Sequence, residues 1–235
     1  MFLSVIIPAF NEEKRLKQTL CQISSYLIKG YKDSEIIIVD DGSNDCTFLV
    51  ANDFSKNTNL PVKVLKNIIN LGKGASVKNG ILVSCGDFVL FSDADLSTPI
   101  EELDKLFNYI KDGYDIIIGS RSKEDSSVQI HQPWYRKKMG KIFNFLVKLL
   151  LLKDFNDTQC GFKLFKGDIA RKIAGLMHIN GFCFDVEMLY IAQKNGYKIK
   201  EIGVIWKNSS QSRVEILNSS LRMFFDLLKI KRLHI

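Results

Sequence analysis

Asp93 and Asp95 stand one residue apart in FVLFSDADLSTP (88–99), directly after a short apolar run. An Asp-x-Asp pair offers hard carboxylate oxygens, the donor type that Mg²⁺ and Mn²⁺ prefer, and an ion held there can bridge to a diphosphate. So short a pattern also arises as two solvated turn aspartates, so its company decides its weight. Asp40-Asp41 in IIIVDDGSND (36–45) and Gly72-Lys73-Gly74 in NLGKGASVKNG (70–80) each follow another apolar run. The glycine stretch can turn backbone N–H groups and the Lys73 ammonium toward an anion or a ribose at a helix start. It lacks the leading glycine of a Walker A loop, and Val77 takes the third glycine position of a dinucleotide fingerprint. Asp185 and Glu187 open a helix, where two acids also serve simply to offset the helix dipole. Arg121 and Arg136, with Lys137 and Lys138, form a basic set that suits a phosphate or a solvated face. His131, His178 and His234 fit no metal spacing and no nucleophile arrangement.

Elements that position these residues follow from the apolar periodicity. Strands are predicted at Leu3–Pro8, Ser34–Val39, Val62–Lys66, Phe88–Ser92 and Asp115–Gly119. Between them lie helices over Glu12–Ile28, Asp45–Phe54, a stretch from the glycine loop to about Ser84, and one opening at Pro99. Thr98 is expected to cap that last helix, with Glu101 completing a capping box. Strict alternation of strand and helix predicts a parallel, right-handed sheet, whose carboxyl-end loops converge although distant in sequence. After Gly119 the pattern loosens into a polar loop (120–132), a helix near 133–152 and a short segment at 160–165. Helices near 168–176 and 184–195, a strand at 198–206 and a terminal helix near 214–229 complete the reading. One domain is expected over 1–235, with 1–120 as its regularly alternating half and 121–235 as its looser half.

Composition bounds the partners. The 235 residues are 46% hydrophobic and 25% charged, which excludes disorder as the default. A net charge of +7 and a pI near 9.1 favour anionic partners. Five scattered cysteines without C-x-x-C point away from zinc and disulfides, toward a reducing compartment. MFLSVIIPAFNEE has no basic leader and reads as a first strand, not a signal peptide. The apolar run 142–152 is too short to span a bilayer.

In order along the chain, SVIIPAFNEE (4–13), IIIVDDGSND, NLGKGASVKNG, GDFVLFSDADLSTP (86–99), IIIGSR (116–121), QPWYRKKMG (132–140), DTQCGFKLF (157–165) and FCFDVEML resemble family 2 glycosyltransferases of the GT-A fold. Within the family they are similar to the polyprenyl-phosphate sugar transferases, the DADLSTP, DTQCGFKLF and FxFDVE forms most of all to the dolichyl-phosphate β-glucosyltransferase branch, with the mannosyl branch next. Phe10 stands where many relatives carry tyrosine, and Ser97 where several mannosyl relatives carry a longer polar residue.

The resemblance implies an α/β GT-A fold, Rossmann-like, with a mostly parallel sheet flanked by helices and amphipathic helices toward the C-terminus. It implies a metal-dependent, inverting transfer of a hexose, glucose from UDP-glucose, to a polyprenyl or dolichyl phosphate. Alternatives are mannose from GDP-mannose, or a soluble family 2 enzyme acting on a glycan. Pro8, Ala9, Phe10, Glu12 and Ala94 would line the nucleotide-sugar pocket, with Asp40 or Asp41 reading the uracil and Lys73 beside the nucleoside. Asp93 would contact the ribose or the cation, and Asp95 would hold Mg²⁺ or Mn²⁺ on the diphosphate. Arg121 and Arg136 are the candidates for the acceptor phosphate, and Asp185 for ordering the acceptor side or the sugar hydroxyls. No nucleic-acid module is recognisable.

A membrane lipid as acceptor gives the amphipathic helices a purpose. Lys138, Lys141 and Lys148 are expected on one face of the 133–152 helix, and Met139, Ile142, Phe143, Leu146 and Leu150 on another. Leu221, Phe224, Phe225 and Leu228, flanked by Lys229, Lys231 and Arg232, repeat the pattern. Such helices can lie in a membrane interface, which would make the chain cytoplasmic and peripheral to the cytoplasmic face of a membrane.

Overall fold

The computed structural model describes residues 1–123, 126–130, 134–207 and 216–234. In the first half β1 (Leu3–Ala9), α1 (Leu16–Gly30), β2 (Ser34–Asp40), α2 (Thr47–Lys56), β3 (Val62–Lys66), α3 (Lys73–Leu82), β4 (Phe88–Ser92), α4 (Glu102–Lys111) and β5 (Ile116–Ser120) alternate as the periodicity predicts. There follow β6 (Ser127–Ile130), α5 (Trp134–Leu150), β7 (Phe162–Lys166), α6 (Gly167–Leu176), α7 (Phe184–Lys194), β8 (Ile199–Gly203), β9 (Ile205–Lys207) and α8 (Ile216–Leu233). Seven strands form one sheet in the order β3-β2-β1-β4-β7-β5-β8, and β6 pairs with β9 in a separate parallel ribbon.

Each face of the large sheet carries its own core. Val5, Ile7, Ile36, Ile38 and Leu90 meet α1, α2 and α4 on one side. Ile6, Ile37, Val39, Val89 and Phe91 meet α3 and α5 to α8 on the other. Alternate residues of β1 thus point to opposite cores and both are buried, which is why the strand reads as an unbroken apolar run. In α1, Leu16, Leu20, Ile23 and Leu27 recur at helical spacing and are fully buried. Each contributes roughly 2 kcal/mol on leaving water.

The sheet is mostly parallel, as expected: β1 to β5 run the same way, and β7 inserts antiparallel between β4 and β5, so strands of the later half complete the sheet of the earlier one. Three expectations need correction. The helix after Asp95 begins at Glu102 with no side-chain cap, because residues 99–104 first form tight i to i+3 turns. Thr98 Oγ1 instead approaches Cys160 Sγ at 3.9 Å. The polar loop after β5 contains β6, and the 198–206 segment divides into β8 and β9.

The third correction concerns the faces of α5. Phe143, Leu146 and Leu150 pack on the core, but Ile142 turns outward with Phe145 and Leu149, and Lys148 Nζ is tied to Asn156 Oδ1 at 2.7 Å. The side chains of Lys137, Lys138 and Leu221, with His131 and the expected start of the last helix at Val214, lie outside the described residues. Among the described residues no helix is long and apolar enough to cross a membrane.

Candidate active site

Successive strands β1, β2 and β3 run outward on one side of β1, and β4 lies on its other side. A crevice therefore opens beyond the carboxyl ends of β1 and β4, where the direction of winding reverses. Its first wall is locked by short polar ties. Asn11 sits at φ +55°, a left-handed conformation that asparagine tolerates, and its N–H donates to Ser43 Oγ at 2.9 Å. Asn44 N–H returns a bond to Asn11 Oδ1, and Glu12 N–H donates to Thr47 Oγ1 at 2.6 Å. Pro8 and Ala9 end buried, with Phe10 exposed at the rim.

The two adjacent acids at the end of β2 have different fates. Asp41 accepts from Asn67 Nδ2 and from the N–H groups of Leu71 and Gly72, at 2.8–2.9 Å. Those bonds commit it to holding the 67–72 loop. Asp40, fully buried, accepts one long bond from Ser43 N–H at Oδ1, and its Oδ2 has no hydrogen-bond partner. Of the pair, Asp40 keeps acceptor capacity.

At the start of α3 the backbone approaches the 179–181 loop so closely that a Cβ on Gly72 would strike Asn180 O. Asn180 O accepts from Gly74 N–H at 2.7 Å, fastening the helix start. Lys73 then lies with Nζ 2.6 Å from Asp93 Oδ1, near the rings of Phe91 and Phe184. Burial disfavours its charge, but Asp93 and Asp185 outweigh that and raise its pKa. Asp95 Oδ1 accepts from Ser97 N–H at 3.0 Å, and its Oδ2 faces Arg15 Nη1 at 3.9 Å. Between the two acids Ala94 O accepts from Thr19 Oγ1, and Leu96 at φ +46° turns the chain away.

These residues fit a divalent cation. Asp93 Oδ1 is enclosed and makes no aligned hydrogen bond despite the nearby ammonium. A Cβ on Gly161 would collide with the same carboxylate, so glycine shapes its seat. Among the described residues no group of three or more His, Cys, Asp or Glu forms. Two carboxylates completed by phosphate oxygens and water are what Mg²⁺-type sites use.

Behind the rim, β7 sets Lys163 level with Phe91 and Ile118. Lys163 is fully buried and donates to Cys160 O at 2.5 Å and to Asp185 Oδ1. Burial pushes the Asp185 carboxyl up against the pull of Lys163 and Lys73. Arg121 is gripped by Asp157 through Nε (2.7 Å), Nη2 (2.8 Å) and its own N–H (2.9 Å). Burial works against both charges, yet each holds the other ionised: Arg121 is raised and Asp157 lowered. One guanidinium edge, Nε with Nη2, is thus committed to Asp157. Cys160, beneath them, is pushed up to about 12 by burial and then by Asp157. Arg136 falls in the first turn of α5, and its side chain is outside the described residues.

Sequence reasoning overlooked four residues: Arg15, which pairs with Glu12 and faces Asp95; Lys163; Asn180; and Glu187 as a scaffold acid. Glu187 is fully buried, accepts from the N–H groups of His178 and Ile179, and meets His234, just past α8, at 2.9 Å. The one legible signal was Lys163, a lysine set between Phe162 and Leu164.

Comparison with known proteins agrees with this geometry. Residues 4–174 match the model of glycosyl transferase family 2. The chain is similar to dolichyl-phosphate beta-glucosyltransferase of Dictyostelium discoideum, 38% identical over 98% of this chain and 74% of that protein. It is 37% identical to the Homo sapiens protein of that name, over 97% of this chain and 74% of that protein. Among solved structures it resembles glucosyl-3-phosphoglycerate synthase from Mycobacterium tuberculosis in complex with Mn²⁺, UDP-glucose and phosphoglyceric acid. There the TM-score is 0.72 at 17% identity, covering 98% of this chain and 80% of the other. The same enzyme with Mg²⁺ and UDP gives a TM-score of 0.71 at 17% identity, over 98% and 79%. A GT-A sheet with an Asp-x-Asp pair at its switch point, matched over most of its length by the family, makes this chain a glycosyltransferase belonging to glycosyl transferase family 2.

Proposed function

We propose that this chain transfers glucose from UDP-glucose to the phosphate of dolichyl phosphate or a related polyprenyl phosphate, inverting the anomeric carbon, with Mg²⁺ or Mn²⁺ at Asp93 and Asp95. The observation that carries the reading is the convergence at one sheet edge of an enclosed acceptor oxygen on Asp40, the partly exposed Asp93–Asp95 pair beside Lys73, and Arg121 at the end of β5. The names of the relatives support the acceptor class, and the UDP-glucose complex of the structural neighbour supports the donor.

Asp40 Oδ2 would accept the uracil N–H, while Pro8, Ala9 and Phe10 flank the nucleoside. Glu12 orients Arg15, and Ala94 fixes the turn that separates the two metal carboxylates. When bound, the cation supplies charge neutralisation of the departing diphosphate. An acceptor phosphate is already anionic at neutral pH and needs no strong general base. Its oxygen bonds to the anomeric carbon as the bond to the UDP oxygen breaks on the opposite face. The chain's work is then orientation and charge placement. Arg121, held by Asp157, has N–H donors left for that phosphate, Arg136 is the second candidate, and Asp185 orders the sugar hydroxyls or the acceptor side.

The membrane reading has a surface to act through. Ile142, Phe145 and Leu149 of α5 and Phe225 and Leu228 of α8 are exposed, near exposed Lys141, Lys229, Lys231 and Arg232. We assign this face to the cytoplasmic interface of the membrane that carries the acceptor.

Transfer from radiolabelled UDP-glucose and GDP-mannose to detergent-solubilised dolichyl phosphate tests the proposal. Label from UDP-glucose in the lipid fraction supports it. Label from GDP-mannose alone moves the chain to the mannosyl reaction, and transfer confined to water-soluble glycans removes the lipid acceptor.

A further inference from the structure

Each carboxylate of the Asp93–Asp95 pair faces a side-chain cation brought from elsewhere in the chain. Lys73 Nζ, at the start of α3, lies 2.6 Å from Asp93 Oδ1, and Arg15 Nη1, just before α1, lies 3.9 Å from Asp95 Oδ2. Both cations are deliberately placed. Glu12 accepts from Nε and Nη2 of Arg15, which turns the Nη1 edge toward Asp95. Lys73 rests near Phe91 and Phe184 on a helix start fastened to Asn180. All four side chains are 23–30% exposed, so these pairs are neither sealed in the core nor fully screened by water.

We infer that Arg15 and Lys73 are exchangeable counter-ions: they hold Asp95 and Asp93 in the ligand-free chain and turn to the diphosphate when a divalent cation and the sugar nucleotide enter together. The inference rests on Asp93 and Asp95 being the metal's protein ligands. Counting charge gives the reason. Glu12, Asp93 and Asp95 against Arg15 and Lys73 leave one negative charge, with the Lys163–Asp185 pair cancelling itself. A divalent cation alone would reverse that to one positive charge, beside two cationic side chains. The two negative charges of a sugar-nucleotide diphosphate restore the original balance. Metal and nucleotide should therefore each strengthen the other's binding by the same factor. The two side chains suit the exchange differently. Lysine moves as a point charge on a flexible stem, while arginine keeps one edge on Glu12 and offers another.

Free Mn²⁺ measured by electron paramagnetic resonance during titration tests this, with and without saturating UDP. The proteins are wild type, Lys73→Met, the double variant Glu12→Gln/Arg15→Gln and Asp95→Asn. The double variant removes the second counter-ion without changing net charge, and Lys73→Gln stands in if Lys73→Met folds poorly. Wild type should bind Mn²⁺ weakly alone and about tenfold tighter with UDP. Lys73→Met and the double variant should bind Mn²⁺ alone more tightly than wild type does, with a smaller gain from UDP. If neither binds it more tightly while wild type keeps its gain, the exchange is overturned and the metal assignment stands. If wild type binds no Mn²⁺ even with UDP, or Asp95→Asn binds it as wild type does, the metal assignment fails and takes the exchange with it.

Discussion

Acids on the donor rim and acids just behind it are built to different specifications. Asp93 and Asp95 are partly open, facing Lys73 at 2.6 Å and Arg15 at 3.9 Å, and Asp93 Oδ1 keeps acceptor capacity. Asp157, Asp185 and Glu187 are buried and saturated by named partners: Arg121, Lys163, and the backbone of 178–179. Both sets border the same sheet: β7, between β4 and β5, sets Lys163 level with Phe91, two residues before Asp93. On the proposed reading the contrast separates acids that would hold the cation from acids that fix the wall around the substrate. Substituting a rim acid should cost activity with little stability, and substituting an acid of the wall should cost stability first.

The sharpest break is expected at Asp185. Asp185→Asn strands Lys163, which is fully buried, and should cost about 4 kcal/mol, the range for orphaning one member of a buried pair. For a chain of this size that is a fall of roughly 10 °C in melting temperature. The double variant Lys163→Met/Asp185→Leu should recover most of it, since two apolar groups need no counter-charge. Calorimetry of the three proteins decides; equal losses in single and double variants would place the cost in packing.

Asp157→Asn comes next, at about 3 kcal/mol, because Arg121 loses its bidentate partner. The Asp157 carboxyl is held below its ordinary range by Arg121. Its contribution is therefore fully present above the unfolded value of about 3.9 and is lost as pH falls through the depressed folded value. The melting-temperature gap between wild type and Asp157→Asn should be wide at pH 7 and begin to close only below about pH 4. A constant gap would contradict the pairing.

Gly161→Ala tests the rim with the smallest possible change. Its methyl group would displace the Asp93 carboxylate, a side-chain end that can move. Transfer should fall about a hundredfold, close to 2.7 kcal/mol, while stability changes by less than about 1 kcal/mol. Matched losses in both would mean the glycine serves only packing. Smallest is the membrane effect: Phe145→Ser with Phe225→Ser should weaken sedimentation with anionic vesicles about tenfold and spare UDP binding. Unchanged sedimentation would move the interface elsewhere.

How far the sequence carried varied with the range of the interactions. β3 and β4 were legible to the residue: β4 is a short apolar run, β3 carries Val62, Val64 and Leu65 between lysines, and polar residues follow both. The loops bearing Asp40, Lys73 and Asp93 were legible because carboxyl-end loops of a wound sheet must converge. The antiparallel direction of β7 was not, since FKLFK reads alike in either direction and its partners are more than 40 residues away. Nor could spacing tell Asp40 from Asp41: the difference lies in three donors from 67–72 that close around one of them. The same holds for Arg121, whose partner Asp157 is 36 residues on, and for Thr98, which gives up its capping role to meet Cys160.

The central claim is that the open Asp93–Asp95 pair binds a divalent cation on the diphosphate of the donor. Asp95→Asn keeps the shape of that ligand and removes its charge, so melting temperature with UDP, with Mn²⁺ and with both measures the claim directly. In wild type the combined rise should exceed the sum of the separate rises. In Asp95→Asn only the UDP rise should remain, with the unliganded melting temperature nearly unchanged and transfer reduced about a thousandfold. An Asp95→Asn protein that keeps the combined rise and the wild-type rate would contradict the account.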